Sequence, residues 1–175
     1  MAGSDESQFE QVIMPHVNAA YNLARWLAGD DHDAEDILQE ACLRAFRFFG
    51  SFRGGNSRSW LLTIVRNTAY TWLKQNRPQA IVSVSDEQWA ELPDVSQSTH
   101  LSSIDRKADS EMLRRALEQL PTEFREALVL RELEGFSYKE IADTTDSPIG
   151  TVMSRIARGR KQLQHYLNTK EKNEL

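Results

Sequence analysis

Apolar residues recur at three- and four-residue steps along most of the chain, which is the spacing of amphipathic helices rather than of strands. Glycine and proline are scarce, with eight and five among 175 residues. The pattern predicts a first helical stretch over residues 9–28, which Pro15 should kink or split because it removes a backbone N–H. It predicts further helices over 33–48 and 57–76. We therefore expect an all-α protein.

The helical periodicity is lost between Pro78 and Ser103, where Ser, Gln, Asp, Val and Pro dominate. A stretch of this length is too long for a connection inside a compact domain. We expect two small helical domains joined by a flexible linker, with boundaries at 1–78, 79–103 and 104–175. In the second domain, helices are predicted over 104–119 and 122–134, the latter stopping at Gly135.

The end of the chain predicts a helix-turn-helix. Ser137 and Glu140 form a capping-box pattern at the start of a short helix. Ser147 is a natural cap before Pro148, which suits the first turn of the next helix. That helix has an inward stripe and a polar, basic face. The stripe comprises Val152, Ile156, Gly159 and Leu163, and the face comprises Thr151, Ser154, Arg155, Arg158, Lys161 and Gln162. Such a face suits the major groove of DNA, although a solvated surface helix remains the alternative.

The net charge of −5 is unevenly distributed along the chain. Residues 51–85 carry five basic side chains and no acidic one, and residues 147–175 carry six basic and two acidic ones. The other segments are acidic, with nine acids and three bases in 1–50, and fifteen acids and seven bases in 86–146. Two separate basic segments indicate two separate contacts with a phosphate backbone rather than a general electrostatic coat.

Composition and motifs exclude several other classes of protein. No apolar run approaches the ~20 residues of a membrane span, and the N-terminus is polar and acidic, so a cytoplasmic protein is expected. Cys42, the single cysteine, is expected to be a reduced, buried thiol. The four histidines are scattered, and neither a phosphate-binding glycine loop nor a nucleophile elbow is found. We expect no catalytic residue, metal or cofactor, and not an enzyme.

Three segments together resemble the extracytoplasmic-function sigma factors of bacterial RNA polymerase, over most of the chain. Residues 33–47, DAEDILQEACLRAFR, are similar to the family's polymerase-binding helix. Residues 51–67, SFRGGNSRSWLLTIVRN, are similar to the loop and helix that capture the promoter −10 element. Residues 117–135, continuing into 150–155, are similar to the domain that reads the −35 element.

The resemblance implies a function and a set of interface residues. It implies core RNA polymerase and promoter DNA as partners, and an anti-sigma factor that clamps the two domains. For polymerase binding it implies Asp36, Gln39, Glu40, Leu43 and Arg47. For the −10 element it implies Phe52, Arg53, Asn56, Arg66, Asn67 and Tyr70, whereas Trp60 is expected to pack in the core. For the −35 element it implies Thr151, Ser154, Arg155, Arg158 and Lys161.

Two positions depart from the family pattern. Met153 stands where many relatives carry Arg, and Ala157 stands where a larger side chain is common, so the −35 sequence read by relatives does not transfer. The competing hypotheses are a stand-alone transcriptional regulator that binds DNA as a homodimer, and a helical adaptor with no DNA role. The two basic segments and the lack of a heptad pattern favour the sigma factor over both.

Overall fold

The N-terminal half is a bundle of four helices. The structure, a computed structural model, describes residues 2–83 and 108–173. The helices are α1 (Ala2–Ile13), α2 (Val17–Ala28), α3 (Asp31–Phe48) and α4 (Ser57–Asn76). A 3₁₀ turn, Met14–His16, separates α1 from α2. The predicted break at Pro15 is therefore confirmed, although α1 begins well before Phe9.

The ends of these helices follow from local hydrogen bonding. Gly29 ends α2 with φ 74°, a left-handed conformation that favours glycine. The Asp30 carboxylate then accepts the Asp33 amide at 3.0 Å and caps α3. Helix α3 therefore begins two residues before the predicted start at Asp33, because Asp30 serves as its cap. Asn56 caps α4 in the same way, accepting the Ser59 amide at 3.0 Å.

Helices α2, α3 and α4 enclose one apolar core. Alanines on α2 and α3, with Ile37 and the leucines of α2 and α4, are almost fully buried. The small alanine side chains let the helix backbones approach one another closely. Five aromatic rings close one end of this core, and they are Phe9, Phe46, Phe49, Phe52 and Trp60. Cys42 is only half-buried, which differs from the predicted burial, because α3 turns that position toward the rim of the core.

The C-terminal half is a second helical unit. Its helices are α5 (Ala108–Glu118), α6 (Thr122–Leu128), α7 (Tyr138–Thr145) and α8 (Ile149–Asn173). Helix α6 continues into a π-helical turn, Val129–Leu133, and the chain reverses at Gly135, which has φ 69°. The Ser137 hydroxyl accepts the Glu140 amide at 3.1 Å and starts α7.

Helices α7 and α8 form the predicted helix-turn-helix. The turn passes through Asp146 at φ 50°. Val152, Ile156 and Leu163 are buried, as predicted. Gly159 faces α6, and a Cβ added there would lie only 3.2 Å from Leu128 Cδ1. A larger residue at this position would therefore require the Leu128 side chain to move. One detail differs, because α8 starts after Pro148 and the Ser147 hydroxyl donates to the Thr145 carbonyl instead of capping the helix.

The first residues of the predicted linker contact the second unit. The Val82 carbonyl accepts the Thr122 amide at 2.9 Å, and the Val82 amide donates to the Thr122 hydroxyl at 3.0 Å. This pair joins the end of the first domain to the start of α6. The rest of the predicted linker, residues 84–103, lies outside the described residues.

Among the residues described, no helix is both long enough and apolar enough to span a membrane.

Replacing Ser137 with Ala should lower the free energy of unfolding by about 1 kcal/mol, because the Glu140 amide then loses its acceptor at the start of α7. Urea denaturation followed by circular dichroism measures the difference. Ser137→Asp, which keeps an acceptor oxygen, should restore most of the loss. Equal stability of Ser137→Ala and the wild type would contradict the capping assignment.

Candidate DNA and polymerase interfaces

Helix α8 places the predicted −35 residues on one side of the helix-turn-helix. Ser154 and Lys161 are exposed, and Thr151 and Arg158 are half-buried. They lie opposite the buried stripe, so packing of the domain leaves this side open to a ligand. The predicted separation of an inward and an outward face on this helix is thereby confirmed.

Arg155 is held by its own domain. One terminal nitrogen donates to the Ser147 hydroxyl at 3.0 Å, and the other lies 3.5 Å from the Glu123 carboxylate. Only 19% of the side chain is exposed. These contacts direct the guanidinium along the flank of α8 toward the turn and α6. Sequence reasoning did not identify Glu123 as a partner, since no spacing rule links it to Arg155.

The loop before α4 combines aromatic and polar groups. Phe52 stacks on Phe49, with ring centroids 6.0 Å apart, and contacts Trp60 at 5.2 Å. Arg53 is exposed, and Asn56 uses its side-chain oxygen as the cap of α4. Trp60 is half-buried in the aromatic cluster, in agreement with the expected packing role. The loop is therefore held in place by its aromatic side chains, and its polar side chains lie outside the core.

A cleft beside this loop joins two of the predicted interfaces. It has a volume of about 540 Å³ and is lined by Phe46, Phe49 and Phe52, with Arg47 and Asp5 at its polar rim. Phe52 was predicted for the −10 element and Arg47 for polymerase. Flat aromatic faces beside a cation suit an unstacked base.

Helix α4 carries the other predicted −10 residues. Asn67 is exposed, and its side-chain oxygen accepts a hydrogen bond from Arg66 at 3.3 Å. The guanidinium of Arg66 also lies over the Tyr70 ring, 4.2 Å from its centroid. The structure thus brings Arg66, Asn67 and Tyr70 together on one helix surface.

Arg66 and Tyr70 face the second domain. The Arg66 Nε donates to the Glu126 carboxylate at 2.6 Å, and the Tyr70 hydroxyl donates to the other oxygen at 2.9 Å. The Glu126 side chain is 0% exposed. Both acceptor oxygens of a buried carboxylate are therefore satisfied by the first domain, which fixes α6 against α4.

Burial raises the pKa of both acidic groups in this cluster. Desolvation raises the pKa of the Glu126 carboxyl, and the charge of Arg66 opposes that rise. The pKa of the Tyr70 hydroxyl is raised, first by burial and then by the Glu126 charge. The tyrosine therefore remains a neutral donor. Glu126 contributes the acceptors, and its charge depends on Arg66 staying in place.

Two further contacts join the domains. A terminal nitrogen of Arg58 donates to the Glu134 carboxylate and to the Glu134 backbone carbonyl, each at 2.5 Å, and its guanidinium lies 5.1 Å from the centre of the Phe136 ring. The Thr63 and Thr144 hydroxyls are 3.4 Å apart. Sequence reasoning missed Arg58, Glu126 and Glu134, because residues about 60 to 80 positions apart share no periodic signal.

The predicted polymerase-binding face lies on the outer side of α3. Asp36, Gln39, Leu43 and Arg47 are exposed, and Glu40 is half-buried in a 2.5 Å ion pair with Arg44. Leu43 is 68% exposed. The surface thus combines carboxylates with an exposed apolar side chain, a combination found at protein–protein interfaces.

Within 2–83 and 108–173, no group of three or more His, Cys, Asp or Glu side chains is arranged to hold a metal ion.

Comparison with known proteins identifies relatives of both halves. The family model Sigma-70 region 2 matches residues 12–79, and Sigma-70, region 4 matches residues 110–163. The ECF RNA polymerase sigma factor SigE of Mycolicibacterium smegmatis is 39% identical over 91% of this chain, which spans 61% of that relative's length. The ECF RNA polymerase sigma-E factor of Escherichia coli K12 is 37% identical over 92% of this chain and 87% of its own.

Two solved structures are similar over the whole fold. The sigma factor RpoE from Bartonella quintana, crystallised with the anti-sigma factor NepR, superposes with a TM-score of 0.71 at 29% identity, covering 92% of this chain and 97% of that one. CnrH, in complex with the cytosolic domain of CnrY, superposes with a TM-score of 0.67 at 21% identity, covering 94% and 90%. The second likeness is one of fold alone.

Replacing Glu126 with Ala should loosen the domain interface, because Arg66 and Tyr70 lose their shared acceptor. We expect a larger radius of gyration in small-angle X-ray scattering and a loss of up to about 3 kcal/mol in unfolding free energy. Glu132→Ala is the matched control, since Glu132 pairs with Arg160 on the surface of one domain. The control should cost no more than about 1 kcal/mol and leave the radius unchanged. Identical behaviour of the two variants would contradict the interface assignment.

Proposed function

Because this chain belongs to the extracytoplasmic-function sigma factors, we propose that it is a promoter-specificity subunit of bacterial RNA polymerase. It binds the core enzyme, recognises the −10 and −35 elements and aids DNA melting. The observation that carries this proposal is the succession, in one chain, of a region 2 domain with an acidic helix and a basic aromatic segment, and a region 4 helix-turn-helix. We expect it to act in the cytoplasm, where core polymerase is found, as a subunit without catalytic activity of its own.

A homodimeric regulator is not favoured by these findings. Such a protein needs a helix-turn-helix but has no use for a region 2 domain, and the match to region 2 covers nearly all of the first domain. The polar and aromatic groups of that domain also suit unpaired bases rather than duplex DNA.

At the −35 element, α8 enters the major groove with its exposed side toward the bases. Ser154 and Thr151 lie near its start, where base edges are read in helix-turn-helix proteins. Arg158 and Lys161 are basic groups on this outward side, and Arg155 lies on the flank of the helix. We assign Arg155 to a phosphate contact, because Ser147 and Glu123 already hold it on the flank.

At the −10 element, the loop and the start of α4 hold unpaired bases. Phe52 offers a fixed aromatic face, Arg53 an exposed cation, and Asn67 an exposed amide. Asn56 contacts the bases as well, and its side-chain oxygen also caps α4 and so fixes the start of that helix. Arg66 and Tyr70 join this surface once they leave Glu126.

Core polymerase binds the outer face of α3 through Asp36, Gln39, Glu40, Leu43 and Arg47. An anti-sigma factor is a further proposed partner, supported by the similar sigma factor of Bartonella quintana, which was crystallised with one.

We further propose that the polymerase surface facing α3 is basic. Charge reversal of Asp36 and Glu40, both to Lys, should then weaken binding to core polymerase by at least about tenfold, because attraction across the contact becomes repulsion. The melting temperature should change little, since surface substitutions are usually worth within about 0.5 kcal/mol. Fluorescence anisotropy of the labelled protein against purified core enzyme measures the affinity.

The matched control for this reversal is Glu6→Lys with Glu10→Lys. These acids are also exposed, four residues apart and in the same domain. The control should bind core enzyme like the wild type. If both double variants lose the same affinity, the effect is one of net charge and α3 is not the polymerase contact.

Replacing Asn67 with Ala should impair promoter opening by roughly fivefold, the effect of about 1 kcal/mol for one lost hydrogen bond to an unpaired base. Permanganate reactivity of promoter thymines, with core polymerase added, measures the melted fraction. Binding to the duplex −35 element should be unchanged. Gln75→Ala, an exposed amide two turns further along α4, is the control. Should the wild-type holoenzyme melt no promoter that it binds, the sigma function itself is wrong.

A further inference from the structure

Helix α8 carries an exposed apolar strip that is not part of the buried core of its domain. Ile149 is 47% exposed and Met153 is 51% exposed. They are four residues apart and therefore adjacent on one helix face, with Ala157, also exposed, one turn further on. Val152 and Ile156, which are almost fully buried, form the core from the adjoining side of the helix. The strip thus lies along the edge of the buried stripe, on a flank of α8 that stays exposed.

The position of this strip is the first two to three turns of the second helix of a helix-turn-helix. In that motif, the N-terminal residues of the second helix approach the edges of the bases in the major groove. Gly150 and Ser154, on the outward side of Met153, are exposed and add little bulk. Apart from Arg155, Met153 is therefore the longest side chain that residues 149–157 present at this surface.

The neighbouring arginine does not compete for this place. Arg155 is drawn to the flank by Ser147 and Glu123, and four fifths of its side chain is covered. A base edge beneath Met153 would therefore meet a thioether and a branched aliphatic group. Against the N7 and O6 acceptors of guanine or the amino group of cytosine, such groups would remove water and supply no hydrogen bond.

One base presents an apolar group at this place. Thymine carries its C5 methyl group in the major groove, where apolar side chains contact it. We propose that Met153, supported by Ile149, selects thymine in the −35 duplex through contact with this methyl group. The inference rests on the proposed sigma function and adds to it the base that this part of α8 reads.

The test begins with selection of bound sequences. Full-length protein with core polymerase is used to select from duplexes randomised across the −35 and −10 windows. In the selected promoter, each −35 thymine is then replaced singly by deoxyuridine, which keeps every hydrogen-bonding group and removes only the methyl group. Competition binding measures the affinity of the holoenzyme for each duplex.

We expect at least one thymine whose replacement weakens wild-type binding by about fourfold, the factor for one buried methyl-sized group. Met153→Ala should bind the thymine and deoxyuridine duplexes equally at that position and keep its other preferences. Leu133→Ala removes a similarly exposed apolar side chain, 54% exposed and outside α8, and should retain the wild-type fourfold difference.

The outcomes separate the two levels of the proposal. If no promoter-like sequence is enriched by the wild-type holoenzyme, the sigma function fails. If sequences are enriched but no −35 thymine is sensitive to loss of its methyl group, the thymine reading is wrong and the function stands. The same holds if Met153→Ala keeps the full sensitivity.

Discussion

The buried carboxylate of Glu126 is the interaction on which the arrangement of the two domains depends. It is the one acidic side chain fully enclosed between α4 and α6 among the described ion pairs, and it receives both Arg66 and Tyr70. A buried ion pair contributes little net stability compared with an apolar contact, but breaking it by removing one partner is costly. The main effect of the pair is therefore to specify that α4 and α6 meet at this point. Its net contribution to the stability of the contact is small.

This specification concerns the same side chains that the sequence predicts for the −10 element. Under the proposed function, Arg66 and Tyr70 contact DNA only after they release Glu126, and the phosphate backbone then replaces the carboxylate as the partner of Arg66. Glu126 in turn becomes solvated, which removes the desolvation that raises its pKa. In this proposal, domain separation with DNA binding would exchange one anion for another, and the charge of Arg66 would be balanced in both states.

Much of the fold could be predicted from the sequence because it depends on local rules. Helical periodicity predicted α2, α3, α4 and the inward stripe of α8, and Pro15 predicted the break before α2. What could not be predicted depends on distance in sequence. Arg66 is held by Glu126, 60 positions away, and Arg155 is held by Glu123 on another helix. Such pairings arise only when the fold brings separate segments together.

Ion pairs in the structure join the basic and acidic segments of the chain. The segment 51–85 has no acid of its own, and three of its four arginines pair with acids elsewhere, Arg58 with Glu134, Arg66 with Glu126 and Arg77 with Asp33. Two of these acids belong to the acidic segment that precedes the helix-turn-helix. When the two domains are in contact, Glu134 and Glu126 of the second domain therefore occupy positions beside Arg58 and Arg66 that DNA phosphates could otherwise take. The basic face of α8 takes no part in these contacts. Under the proposed function, recognition of the −35 duplex therefore needs only an exposed helix face, whereas capture of the −10 strand needs the domains to part.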